Sequence, residues 1–206
     1  MRRGWWLMLL AGVWLLAGCQ KQAQPDTLQV VATTNFYGEV AQAVLGSHGQ
    51  VTSVITDPAV DPHDYEPTAA VGKQVAMAQV VVANGIGYDA WMTKLTKANG
   101  DQATTVTAAK VIGARAGDNE HVWYQPETMP KLAEKLAAVY SQKDPAHKAA
   151  YQRNAKRYIH SLQPLQQQLK TLRANARGQA VGVSEPVFTY ALDALGYKVA
   201  DRSVHG

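Results

Sequence analysis

The amino-acid sequence predicts an α/β protein of two parallel-sheet lobes joined by a long helix, the second lobe incomplete. Three observations carry this. β-branched runs alternate with helical segments over residues 28–109; a 3.6-period apolar stripe occupies residues 145–176; and the alternation resumes after Gly178 for only 28 residues. Strands that alternate with helices of about ten residues indicate βαβ units, hence a parallel sheet covered on both faces.

In chain order, "LQVVATT" (residues 28–34) is a strand, and Asn35 is placed to cap a helix running to Leu45. "QVTSVIT" (50–56) is the next strand, and it feeds the loop "DPHDYEP" (61–67). A helix over 69–78, a strand over 79–85, a helix over 88–98 and a strand over 103–109 follow. Residues 113–130 form a loop. Beyond it Tyr151, Ala155, Tyr158, Leu162, Leu165, Leu169 and Leu172 step by three and four, the stripe of one amphipathic helix from about 145 to 176. At about 1.5 Å per residue it would be roughly 48 Å long, a strut between lobes whose stripe is ordinary core, with Pro164 a possible kink. A strand (179–185), a helix (186–195) and a strand (197–201) complete the pattern. The expected organisation is residues 1–18 export signal, 19–27 tether, 28–125 first lobe, 126–178 helical linker and 179–206 partial second lobe, as in a fragment or an interrupted product.

The N-terminus has its own logic. Arg2 and Arg3 precede a twelve-residue apolar run, "WWLMLLAGVWLL", too short for an ordinary membrane span. Cys19 is the only cysteine and cannot form an internal disulfide. "LAGC" resembles the lipobox of bacterial lipoproteins, which implies lipidation at Cys19 and a lipid-anchored protein on the extracytoplasmic face of the cell membrane. Arg2 and Arg3 account for two of the formal +4 charges, leaving +2. With no arginine clusters among aromatics, that balance argues against nucleic acid as a partner.

Three polar residues sit where loops or strand ends should line a crevice: His63 in "DPHDYEP", His121 in "NEHVWYQP" and Glu185 in "SEPVF". Pro62 and Pro67 fix their own torsions and push the preceding residues toward extended backbone, which suits a held ligand. Two imidazoles and a carboxylate are a plausible set for zinc or manganese. Taken singly, each histidine could equally be hydrogen-bonded or solvated, and Glu185 could face a helix N-terminus. His48, His147 and His160 are expected on turns or solvated faces.

"VVATTNFYGEVAQAVLG", "DPHDYEPT", "AQVVVANG", "HVWYQP" and "SEPVFTYALDALGYKV", in that order, resemble the metal-binding lipoproteins that serve ABC importers of zinc and manganese. The resemblance implies His63, His121 and Glu185 as metal ligands, a divalent metal ion (Mn or Zn) as cargo, and ABC permease membrane subunits as partners. The aspartate expected as fourth ligand has no counterpart, and Glu120 and Gln125 stand where the family commonly has proline and aspartate. An exported metalloenzyme or a surface adhesin are the alternatives; no general base or nucleophile accompanies the histidines, so the expectation is a binding protein and not an enzyme.

Overall fold

The computed structural model describes residues 27–200; the export signal, Cys19 and most of the tether lie outside the described residues, as do residues 201–206. Strands β1 (Leu28–Thr34), β2 (Gly49–Ile55), β3 (Val80–Ala83) and β4 (Thr104–Thr107) form one parallel sheet in the order β2-β1-β3-β4. The four expected strands are all present: β1 has the expected bounds, β2 lies one residue earlier, and β3 and β4 are shorter. Helices α1 (Asn35–Leu45), α2 (Ala69–Met77) and α3 (Ala90–Ala98) make the crossovers, and a short α4 (Ala108–Ile112) follows β4.

Alternation along the central strands shows why this sheet is covered twice. Val30, Ala32, Val80 and Val82 face a core shared with α1 and α4, whereas Val31, Val81 and Ala83 face a second core shared with α2 and α3. Period-2 side chains that are apolar on both faces need a layer on each side. Asn35 is not the cap of α1: it is the first helical residue, Thr34 precedes it, and the Asn35 carboxamide accepts from the N–H of Phe36 at 2.9 Å.

Helix α5 (Thr128–Lys143), in the region assigned to the linker, packs on the first core. Leu132, Leu136 and Tyr140 are fully buried there among α1 and β-sheet side chains, and the Tyr140 hydroxyl donates to the Ala41 carbonyl.

The single 145–176 helix is a correction. A 3-10 turn at Pro145–His147 leads into α6 (Lys148–Ser161), and α7 (Gln163–Ala176) is a separate helix. Pro164 has no N–H to donate to the preceding turn, so it sits in the first turn of a new helix, where that donor is not needed. The stripe is core only at its start: Tyr151 and Ala155 are buried, but Leu165 and Leu172 are 57% and 45% exposed.

Past α7, β5 (Ala180–Gly182) and β6 (Lys198–Ala200) pair in parallel as a separate two-stranded sheet, bridged by a 3-10 turn (Pro186–Phe188) and α8 (Thr189–Ala194). Trp123, Met129, Leu162, Leu165, Leu169 and Phe188 line an apolar cleft of about 250 Å³ where this segment meets the first lobe.

Candidate metal site

Ligands of a parallel sheet bind beyond the carboxyl ends of its strands, near the point where strand order reverses. Here that point lies between β1 and β3, and the loops after β2, β3 and α4 converge beside it.

The loop after β2 carries His63. Asp61 shapes it by accepting the His63 N–H at 2.9 Å, and Tyr65 anchors it by packing its ring 4.8 Å from Trp91. The loop after β3, "NGIGYD", carries Tyr88. Gly85, Ile86 and Gly87 all have positive φ, at 86°, 47° and 105°. For the β-branched Ile86 this is a strained conformation, held because neighbouring contacts over-determine it. The buried Asp89 carboxylate supplies them, accepting the N–H groups of Asn84 at 2.6 Å and Gly85 at 2.9 Å. Burial raises the Asp89 carboxyl above its ordinary value, against those backbone hydrogen bonds.

Asn84 joins this loop to the next. Its side-chain amide donates to the carbonyls of Gly85 and Glu120, each at 3.0 Å, and accepts from the buried Tyr37 hydroxyl. Burial, and then the charge of Asp89, hold the Tyr37 phenol far above its usual range.

The third loop brings Glu120 and His121. Glu120 Oε1 lies 3.0 Å from His63 Nε2, with the two side chains 27% and 41% exposed. His121 Nδ1 lies 2.7 Å from Asn119 Oδ1, a contact that leaves Nε2 as the free donor atom of the ring. Burial lowers the His121 imidazole below the ordinary histidine value, against the opposing charge of Glu120 and together with the like charge of His63; Glu185 adds a smaller upward pull. Tyr88 stands between the two histidines, its ring 5.2 Å from His63 and 6.2 Å from His121, and Trp123 closes the back at 4.8 Å from Tyr88 and 5.2 Å from His121. Burial first, then the charge of Asp89, pushes the Tyr88 phenol up to about 12, so it stays a neutral wall rather than a phenolate.

The structure thus gathers His63 and His121 at one sheet edge but does not bring Glu185 into contact with them. Glu185 is exposed just before the Pro186–Phe188 turn, and among the described residues its carboxylate makes no hydrogen bond or ion pair. Among the described residues no three His, Cys, Asp or Glu side chains converge closely enough to hold an ion as they stand. A tie between the two regions runs instead through Asn119, whose side-chain amide donates to the Pro186 carbonyl at 2.6 Å and to the Thr189 hydroxyl at 2.5 Å. The Tyr190 hydroxyl donates to the Asn119 carbonyl at 3.0 Å.

Glu120, Asn84, Asn119 and Tyr88 are the members that motif reading missed. Only the strand-end "NG" at Asn84-Gly85 offered a local signal, as a turn after β3. Among the described residues the other histidines, His48, His147 and His160, form no part of the site. His48, expected in a turn, and His147, expected on a solvated helix face, stack on one another with centroids 4.0 Å apart, and His147 Nδ1 lies 2.6 Å from Asp144 Oδ2.

Comparison with known proteins gives a consistent picture. Residues 30–205 match the family model described as zinc-uptake complex component A periplasmic. The chain is 27% identical to the manganese-binding lipoprotein MntA of Bacillus subtilis, over 97% of this chain and 69% of that protein. It is 31% identical to the iron ABC transporter substrate-binding lipoprotein MtsA of Streptococcus pyogenes serotype M1, over 89% of this chain and 66% of that one. Among solved structures, the metal-dependent lipoprotein YcdH of Bacillus subtilis superposes with a TM-score of 0.77 at 27% identity, covering 87% of this chain and 68% of its own. The chain therefore spans about two thirds of the length of these relatives.

Proposed function

Since the chain belongs to the zinc-uptake complex component A family, we propose that it is an extracytoplasmic binding protein that captures a divalent transition metal ion and passes it to an ABC permease. The observation that carries the reading is the pair of imidazoles, His63 and His121, set around Tyr88 at the mouth of the parallel sheet. Neutral imidazole is the commonest protein ligand for zinc and its neighbours, and lowering of His121 by burial keeps it in the neutral, metal-ready form to lower pH than a free histidine. Glu185 would join from the C-terminal segment when that segment moves toward the two histidines.

The cargo is zinc or manganese, with iron named for one relative; supply and geometry choose among them more than ligand type does. No chemistry is performed on the ion. Cys19 would carry the lipid that holds the protein at the extracytoplasmic face of the membrane, next to the permease subunits.

Metal titration of the purified chain tests this. Zinc or manganese should bind with one-to-one stoichiometry, His63→Ala and His121→Ala should each weaken binding by about tenfold or more, and acidification should release the ion. A chain that retains neither metal under any loading condition would refute the reading.

A further inference from the structure

We infer that the Glu120 carboxylate is itself a metal ligand, sharing the captured ion with His63 and, once its ring closes on that pair, with His121; this rests on the metal-capture reading above. Glu120 Oε1 and His63 Nε2 are 3.0 Å apart. That separation serves a hydrogen bond, and it also serves two donors on one ion. With metal–nitrogen and metal–oxygen bonds of about 2.0–2.2 Å and angles between right-angled and tetrahedral, the donors lie about 2.9–3.5 Å apart. An ion can therefore take the place of the shared proton with a shift of about half an ångström or less.

The surroundings favour ligation over a purely orienting contact. The main chain at Glu120 is fixed from two sides, its carbonyl accepting from the Asn84 amide at 3.0 Å and from the Val122 N–H at 2.7 Å, so the side chain alone has to adjust. Among the described residues, His63 is the only basic side chain within ion-pairing distance of this carboxylate. The next residue, His121, has Nδ1 occupied by Asn119 and offers Nε2. Positions 120 and 121 thus present an anionic oxygen and a neutral nitrogen in succession beside the His63 nitrogen. A carboxylate here offsets half the charge of a divalent ion and hardens the donor set, which suits manganese as well as zinc.

Two variants test it, each checked for folding by thermal melting. Glu120→Gln keeps the size and removes the anionic oxygen; by chelator competition its affinity for zinc and manganese should fall by about tenfold or more. Glu120→His exchanges one ligand for another, so the copper(II)-loaded variant should show one more coordinated nitrogen than wild type in its electron paramagnetic resonance spectrum. Unchanged affinity in Glu120→Gln while His63→Ala and His121→Ala are impaired overturns this inference and leaves the capture reading standing. A weakened Glu120→Gln with no added nitrogen in Glu120→His also overturns it, since Glu120 then only orients His63. If wild type binds neither metal, or the two histidine variants bind as well as wild type, both readings fall.

Discussion

The two parallel sheets of this molecule are built from the same alphabet and end in different physical states. In β1 and β3 all but one side chain is buried, with Val80, Val81 and Val82 fully so. In β5 and β6 the pattern is exposed, half-buried, exposed, although their central residues, Val181 and Val199, are valines like those of β3. What differs is the cover. The first sheet has helices on both faces, and α1, α5 and α6 form a second layer of packing around it. The second has α8 against β6, with the Arg173 side chain of α7 hydrogen-bonded to the end of α8, and two strands with little cover are marginal. β-propensity places a strand; burial gives it stability.

The comparison breaks most sharply at the core. Leu136→Ala on α5 should destabilise the protein by about 2–5 kcal/mol in denaturant unfolding, while Val181→Ala on β5 should cost less than about 1 kcal/mol; equal losses would mean that both sheets belong to one cooperative core. Asp89→Ala comes next. It strands the N–H groups of Asn84 and Gly85 under the strained Ile86 turn and should cost about 2–4 kcal/mol, with metal affinity reduced because the Glu120 loop loses its footing through Asn84.

A smaller effect comes from pH. His121 has a folded-state value below its unfolded one, so the folded protein binds fewer protons there. Its stability contribution is therefore intact above about pH 6.5 and lost as pH falls through the lowered value. The metal-free melting temperature should decline across that window, and His121→Gln should flatten the decline. Smallest of all, Leu165→Gln and Leu172→Gln should change stability by less than about 0.5 kcal/mol, whereas the same change at Leu132 should unfold much of the population.

The sequence made the first sheet legible because its strands are apolar on both faces and its turns are marked by Gly, Asn and Pro. The break between α6 and α7 was harder to see. The periodicity of the stripe continues through Leu162, Leu165 and Leu169, and only the missing donor of Pro164 divides it. Periodicity also reports which side of a helix is apolar, not whether anything covers it, so Leu165 and Leu172 read as core and are largely exposed, Leu165 on the wall of the open cleft. At the candidate site, His63 and His121 were visible from loop position and composition. Glu120 was not, because its meeting with His63 depends on the register of β2 against β1 and on the Asn84 brace, neither of which has a local signature. Glu185, expected at the end of a strand over 179–185, lies three residues beyond the end of β5, and the distance from its loop to the histidines is set by packing between segments rather than by spacing.

Asn119 has a consequence for how this protein can change over evolutionary time. One carboxamide faces both ways, its oxygen on His121 and its nitrogen on Pro186 and Thr189. No other side chain presents an acceptor and a donor at those two ends with the same length, aspartate included. A substitution at 119 therefore changes what is acceptable at 121 and at 186–190 together. In a library of functional variants these positions should be epistatic: tolerated combinations at 119, 121 and 189 should be far fewer than the product of the singly tolerated substitutions.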